Sequence, residues 1–235
     1  MLSEIIRCNV LPREVGWNIK ARRAIIKNIA KAGGQRVCQH DFRKPSSKMT
    51  VSHSQVLRPA TLAHIFLRTN KFQEMVKWWK TILGAEARFE SSRISFLCFD
   101  EEHHRIAICA MPGTSDKVRS SAGLEHVAFT FHNLEDLTTA YTQRKVLGIL
   151  PSWCVHHGIT ISIYYTDPDG NQVETQVDCF ENNGKATAFM ESDAFRRNPV
   201  GVEFDPEELV RRVRSGELHS SIFVRPEGPI AKHPH

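Results

Sequence analysis

Two histidines and one glutamate in this 235-residue chain have the side-chain chemistry of a metal site. His64 and His126 hold the same position in two similar stretches, TLAHIFL over residues 61–67 and GLEHVAF over residues 123–129. Glu174 belongs to a later strand-like stretch, QVETQV. Two imidazoles and one carboxylate can hold a divalent metal on one face and leave positions open for a substrate. We therefore predict a metal site made of His64, His126 and Glu174.

The similarity of the two stretches continues downstream, which indicates an internal duplication. After each His-containing strand, apolar residues recur at helical spacing, and Gly84 and Gly148 end the helices that they predict. The matched positions are Phe72 with Leu134, Met75 with Leu137, Trp79 with Tyr141 and, after a two-residue slip, Leu83 with Leu147. Three strand-like stretches follow each helix. The sequence thus predicts an α+β fold in which two βαβββ modules form a concave mixed sheet around the metal site.

These patterns divide the chain into three segments. A basic extension covers residues 1–57, the main domain covers residues 58–217, and a C-terminal tail covers residues 218–235. Within the domain, the two modules span about residues 58–115 and 120–180. Residues 180–204 show no clear periodicity and are predicted to be irregular with one helical turn. A last helix is predicted over residues 205–216, with Asp205 as its N-cap.

The alternation of side chains along a strand predicts which face carries the ligands. His126 and Val127 point to opposite faces of their strand, and so do Glu174 and Val173. The apolar faces should pack on the helices, so both ligands should lie on the other face, where a concave sheet can bring them together. A lone histidine in a strand is more often an ordinary core or surface residue, but the repeat-related positions favour a shared site.

Composition and charge restrict the class of protein. The chain is 41% hydrophobic and 24% charged, which is typical of a globular protein. It contains no run of 18 apolar residues, so no membrane-spanning helix is expected. The six cysteines form no C-x-x-C pair, which favours reduced thiols in a cytoplasmic protein. No basic stripe interleaved with aromatic residues is present in the main domain, so we do not expect a nucleic-acid partner.

The basic character of the chain is confined to its N-terminal segment. Residues 1–50 hold 11 Lys and Arg against 3 Asp and Glu, whereas the other residues hold 20 against 23. A short basic amphipathic helix around residues 22–31, a disordered tail, a mitochondrial presequence and a natural translation start at Met49 are all compatible with this pattern. We expect residues 1–48 to be dispensable for the metal site.

The duplicated βαβββ pattern resembles the vicinal oxygen chelate superfamily. The resemblance depends on a His in the first strand of each unit and a Glu in the last strand of the second, and it covers about residues 58–217. Residues 157–174 and 198–206 look most like the one-domain type I extradiol dioxygenases of that superfamily. The resemblance implies an Fe(II) enzyme, with Mn(II) or another divalent metal as the alternative. It also implies a catechol-like aromatic diol and O₂ as substrates, and it leaves room for a homo-oligomer.

The same resemblance implies three catalytic side chains. His104 corresponds to a family histidine at the start of the strand before the second metal histidine. His157, or its neighbour His156, corresponds to a family histidine upstream of the last hairpin. Tyr164 lies ten residues before Glu174, as the family pattern requires. Without the resemblance, His104 is equally compatible with a solvated turn, His157 with a turn before a strand and Tyr164 with a buried aromatic.

Two other functions remain compatible with the sequence. A glyoxalase-type lyase or isomerase would need a carboxylate from the last strand of the first unit, and RIAICA over residues 105–110 contains none. A resistance-type protein that sequesters a small molecule would need neither the complete ligand set nor His104 and Tyr164. The sequence therefore favours the ring-cleaving dioxygenase.

Overall fold

The first repeat unit forms a four-stranded mixed sheet with one helix packed on it. In the computed structural model, which describes residues 56–233, the order along the chain is β1 (Ile65–Thr69), α1 (Phe72–Leu83), β2 (Glu86–Glu90), β3 (Ile94–Cys98) and β4 (Ile106–Ala110). The strands lie in the order β1-β4-β3-β2, with β1 parallel to β4 and the other pairs antiparallel. This is the βαβββ order that the sequence predicts.

The second unit repeats this arrangement. Its elements are β5 (His126–Thr130), α2 (Leu134–Val146), β6 (Trp153–His156), β7 (Thr160–Thr166) and β8 (Gln172–Asp178). The strand order is β5-β8-β7-β6, and β5 runs parallel to β8 just as β1 runs parallel to β4. The predicted duplication and the α+β class are therefore confirmed.

The segment after the second unit is more regular than the sequence indicates. It contains α3 (Asn183–Met190), α4 (Asp193–Arg197) and β9 (Val202–Glu203), followed by α5 (Pro206–Arg214) and α6 (His219–Ile222). The prediction of one helical turn in residues 180–204 was wrong, because α3 and α4 bury no residue and so show no apolar periodicity. Their starts are instead stabilised by the side chains of Asn182 and Ser192, which accept backbone hydrogen bonds. Strand β9 adds a fifth strand to the second sheet beside β6.

The core lies between the sheets and the helices α1 and α2. One face of α1 is buried through Phe72, Met75, Val76, Trp79 and Ile82, as its spacing predicts. In β5, Val127 and Phe129 pack against this core, and the ring of Phe129 meets that of Trp79 edge to face at 6.3 Å. The helix-facing side of β5 is therefore the apolar one, which leaves His126 on the opposite face.

A buried arginine joins the two units. Arg144 of α2 is 3% exposed, and its Nε atom donates to the Ile82 carbonyl of α1 at 3.0 Å. Its Nη1 atom donates to Thr175 Oγ1 at 3.3 Å, and its guanidinium lies over the rings of Phe131 and Tyr165. Ile82 is among the last residues of α1, where carbonyls have no partner within the helix. Arg144, in a helix of the second unit, thus supplies the hydrogen-bond donor for a carbonyl at the end of a helix in the first unit.

Among residues 56–233, no helix is long and apolar enough to cross a membrane. In the same residues, Cys98, Cys109, Cys154 and Cys179 are free thiols. The predicted helix near residues 22–31 and Met49 lie outside the described part of the chain.

We expect Arg144→Ala to lower the free energy of unfolding by about 3 kcal/mol, because it leaves a buried carbonyl unpaired and opens a cavity. Urea unfolding of the metal-free protein measures this change. The control is Arg211→Ala, which removes an exposed Glu208 ion pair and should cost less than about 1 kcal/mol. A loss at Arg144 no larger than the loss at Arg211 would contradict the joining role.

Candidate metal centre

Strand register collects the main residues of the site into one row across the second sheet. Parallel pairing of β5 with β8 sets Ala128 opposite Glu174. Antiparallel pairing then sets Glu174 opposite Tyr164 in β7, and Tyr164 opposite Trp153 in β6. Side chains alternate along a strand, so His126 lies on the same face as Ala128. The row therefore places an imidazole, a carboxylate, a phenol and an indole side by side on the face that the helices leave open.

His126 and Glu174 form a direct pair. The distance from His126 Nε2 to Glu174 Oε2 is 3.0 Å, and Glu174 is only 5% exposed. Burial works to raise the pKa of Glu174, but the hydrogen bonds from His126 and Ser162 outweigh it, and the pKa lies below its usual value. The hydrogen bond to Glu174 raises the pKa of His126 against the effect of burial. The buried carboxylate is thus held ionised.

This pair has the chemistry of two metal ligands. His126 Nδ1 is buried, and no residue described in the structure hydrogen-bonds to it. An unpartnered buried polar atom costs about 1–3 kcal/mol, so the hydrogen bond to Glu174 leaves this imidazole incompletely satisfied. Imidazole nitrogen and carboxylate oxygen together suit a divalent transition metal. The donor set of this pair therefore fits a metal ion.

His64 lies in a different environment. It is exposed, one residue before β1, and its ring is 4.5 Å from the ring of His104. Within residues 56–233, no three His, Cys, Asp or Glu side chains come together in a group that could hold a metal. The structure thus brings His126 and Glu174 together and does not bring His64 to them.

His104 lies in the turn before β4, on the open face of the first sheet. Its ring lies between those of His64 and Phe96, at 4.5 and 4.9 Å between centroids. Burial, helped by the charges of His64 and His103, lowers the pKa of His104. His104 is therefore partly buried and biased towards the neutral form, and it is not simply a residue of a solvated turn.

His157 and Tyr164 are hydrogen-bonded to each other beside the His126–Glu174 pair. The distance from His157 Nε2 to Tyr164 Oη is 3.0 Å, and the ring of Tyr164 meets that of His126 edge to face at 5.5 Å. His157 Nδ1 bonds to the Val200 carbonyl, which can only accept, so Nδ1 carries the proton. Burial lowers the pKa of His157 and favours its neutral form. In that form Nε2 is an acceptor, and the Tyr164 hydroxyl donates to it.

His156 points to the other side of the sheet. The Gly158 N–H donates to His156 Nδ1 at 3.1 Å, so Nε2 carries the proton and donates to the Ile222 carbonyl at 3.2 Å. Burial, reinforced by the charges of Arg225 and Arg212, lowers the pKa of His156 to about 4. Of the two adjacent histidines, only His157 is placed beside Tyr164.

Comparisons with known proteins identify the family of this chain. A family model described as the glyoxalase/bleomycin resistance protein/dioxygenase superfamily matches residues 61–175. A solved glyoxalase/dioxygenase from Nostoc punctiforme is 18% identical over 54% of this chain and 99% of that chain, with a TM-score of 0.45. Biphenyl-2,3-diol 1,2-dioxygenase 2 of Rhodococcus globerulus is 41% identical over 155 residues, or 66% of this chain and 82% of that protein. Biphenyl-2,3-diol 1,2-dioxygenase 3 of the same organism is 39% identical over 70% of this chain and 87% of that protein. The chain belongs to this superfamily.

Sequence reasoning missed several parts of this superfamily member's site. Ser162 and Trp153 lie on the same face as Tyr164, and period-two spacing from Tyr164 would have found Ser162. Trp153 is 5.1 Å from Tyr164 between ring centroids and is held by Glu203, which accepts from its Nε1 at 3.1 Å. The Val200 carbonyl is a backbone atom in an irregular loop, and no sequence pattern indicates it.

His156 should make the stability of the protein depend on pH. The pKa of His156 in the folded protein is about 4, below the ordinary value of 6.5. The contribution of His156 to the free energy of unfolding is therefore complete above pH 6.5. That contribution is lost as the pH falls from 6.5 towards 4, by about 3 kcal/mol in total. Urea unfolding of the metal-free protein between pH 7 and pH 4 measures it, with His156→Asn as the matched variant. Asn can still accept from Gly158 and does not titrate, so parallel wild-type and variant curves would contradict the assignment.

Proposed function

We propose that this protein is a metal-dependent extradiol dioxygenase that opens an aromatic ring next to two adjacent hydroxyl groups. The observation that carries this proposal is the row in which the His126–Glu174 pair lies beside the hydrogen-bonded Tyr164 and His157. Metal ligands next to a proton-accepting histidine are what deprotonation of a catechol requires. The two Rhodococcus globerulus relatives, about 40% identical, are named as dioxygenases of biphenyl-2,3-diol, which supports an aromatic diol as the substrate.

The metal in this proposal is held by His64, His126 and Glu174. Two imidazoles and one carboxylate are the ligand set typical of non-haem Fe(II) oxygenases, and Mn(II) is the alternative. When bound, the metal would hold the diol and O₂ together and make the diol more acidic. His126 and Glu174 are already paired, whereas His64 must move from its position beside His104 to join them. In this proposal, metal binding replaces the His126–Glu174 hydrogen bond.

His157 and Tyr164 manage the protons of the substrate. Neutral His157 presents its Nε2 lone pair towards the site, so it can accept the proton of one substrate hydroxyl and return it later. The Tyr164 hydroxyl bonds either to His157 or to a substrate oxygen, and therefore it orients the diol next to that base. His104 lies beside His64 and provides a second neutral imidazole at the first-unit side of the site.

The dioxygenase is favoured over the two other functions of this superfamily that the sequence leaves open. A glyoxalase-type reaction would use a carboxylate from the last strand of the first unit, and β4 (Ile106–Ala110) has none. A protein that only sequesters a small molecule has no need for a buried ionised carboxylate, which costs free energy to keep away from water. The hydrogen-bonded Tyr164 and His157 likewise indicate proton transfer.

We expect His126→Ala to lose nearly all bound divalent metal, because it removes one ligand and leaves Glu174 without its partner. Elemental analysis of protein purified with Fe(II) or Mn(II) measures the metal. His132→Ala, an exposed histidine six residues further on, should keep it. Stoichiometric metal in His126→Ala would overturn the assignment of this ligand.

We expect the metal-loaded protein to consume O₂ in the presence of a catechol, and we expect at least one of His157→Ala and His104→Ala to turn over roughly 10²- to 10⁴-fold more slowly. The measurement is O₂ uptake with a panel of catechols, together with the metal content of each variant. Full metal content with slow turnover is the result that supports an acid–base role. Unchanged turnover in both variants would refute the acid–base role. The absence of O₂ uptake with every catechol would refute the dioxygenase function.

A further inference from the structure

A short loop after α4 presents the carbonyl group that fixes His157. The loop is closed by Asn198, whose Nδ2 donates to the Gly201 carbonyl at 2.8 Å and whose Oδ1 accepts from Gly201 N at 2.7 Å. Between Asn198 and Gly201, the Val200 carbonyl accepts a hydrogen bond from His157 Nδ1. Gly201 has φ +119°, and a Cβ there would come within 2.5 Å of the His156 carbonyl oxygen. The loop therefore lies as close to the two histidines as a glycine permits.

Arg225, in the chain after α6, holds this loop and His157 together. Its Nη1 atom donates to the Asn198 carbonyl at 2.7 Å and to the His157 carbonyl at 3.1 Å. Its Nη2 atom donates to the Ala194 carbonyl in α4 at 3.0 Å. One guanidinium therefore contacts the backbone of His157, the loop that holds its hydrogen-bond acceptor and the helix that precedes the loop.

An aromatic ring from α3 packs against one face of the half-buried Arg225. Its guanidinium lies over Phe189, 5.6 Å from the ring centroid. Phe189 in turn packs on Gly158 so closely that a Cβ at that position would lie 2.6 Å from its ring. Phe189 thus fills the space next to His157 and limits how Arg225 can move.

The contacts of Arg225 are unusual for an arginine. Its three hydrogen bonds all end on backbone carbonyls, and within the described residues no carboxylate lies at ion-pair distance from it. Burial without such a partner lowers its pKa. A planar guanidinium has several donors in a fixed geometry, so it can connect separate carbonyls, whereas the single ammonium of lysine cannot span them in the same way.

We propose that Arg225 is a positioning residue for His157, which it acts on by holding the Val200 carbonyl against Nδ1. This inference rests on the proposed function, in which His157 is the proton acceptor. With Val200 in place, the proton stays on Nδ1 and the lone pair of Nε2 faces Tyr164 and the substrate. Without it, the ring can take the other tautomer or rotate, and the base is no longer presented. Residue 225 lies outside residues 61–175, where the superfamily model matches.

The first test measures turnover. Arg225→Ala should lower kcat about 10- to 100-fold, the usual effect of removing a residue that orients a site ligand or base, with KM and metal content little changed. The kcat of Arg225→Lys should fall between the values of the wild type and of Arg225→Ala. The control is Arg197→Ala, which removes an exposed arginine next to the same loop and should leave kcat unchanged. Thermal melting identifies a loss that comes from unfolding, in which case Arg225→Lys carries the test.

A double-mutant comparison separates positioning from general support. In a His157→Gln background, replacing Arg225 by Ala should have no further effect on kcat, because the residue through which it acts is already absent. The same fold-change in both backgrounds would overturn the proposal, and so would an unchanged kcat in Arg225→Ala.

The second test does not depend on activity or on metal. Long-range ¹H–¹⁵N spectra of the metal-free protein report which nitrogen of His157 carries the proton. We expect the Nδ1–H form in the wild type and in Arg197→Ala, and loss of that single form in Arg225→Ala. An unchanged tautomer in Arg225→Ala would overturn the proposal even if the protein proves to be a dioxygenase. A changed tautomer in a protein that consumes no O₂ would keep the positioning role and reject the proposed function.

Discussion

The site depends on the parallel pairing of β5 with β8. These strands are more than forty residues apart in the chain, and their register sets Ala128 opposite Glu174 and so brings His126 within 3.0 Å of the carboxylate. A slip of one residue would turn every side chain of β5 to the other face, and it would expose Val127 and Phe129 while burying His126 against the helices. The free energy gained by burying that apolar face therefore also fixes the position of His126. The packing of the core and the geometry of the site are set by the same register.

The hydrogen bond within the His126–Glu174 pair conflicts with the metal-ligand role that we propose for both residues. In the metal-free protein the imidazole compensates a carboxylate that is 5% exposed, which an isolated charge could not tolerate. The same contact occupies the atoms that a metal would need. A metal held by the proposed ligands would therefore have to replace the hydrogen bond between this imidazole and this carboxylate, with its own charge compensating Glu174. Among the described residues, the hydrogen bond to Glu174 also leaves Nδ1 of His126 without a partner.

Much of the fold and part of the candidate site could be predicted from the sequence, and the physical reason differs from residue to residue. Period-two alternation assigned His126 and Glu174 to the open face because each has apolar neighbours that must face the core. Helical spacing found α1 and α2 for the same reason. His64 lies one residue before β1, where no alternation fixes its direction, so its contact with His104 depends on tertiary structure. Helices α3 and α4 were missed because they bury nothing, and the roles of Val200 and Arg225 depend on backbone carbonyls, which have no sequence signature.

The adjacent histidines His156 and His157 show how one extended backbone can serve structure and chemistry together. Neighbouring side chains in a strand point to opposite faces, so His156 is directed at the Ile222 carbonyl and His157 at Tyr164. Both are fixed as neutral tautomers by backbone groups, yet with opposite nitrogens protonated, since Gly158 donates to Nδ1 of His156 whereas Val200 accepts from Nδ1 of His157. His156 has both nitrogens bonded to backbone and can take no part in proton transfer. His157 keeps one nitrogen for a phenol whose own proton is free to move. The carbonyl acceptors of both histidines, Ile222 and Val200, come from the segment after residue 198, so the residues that follow the duplicated modules help to fix which nitrogen of each ring carries the proton.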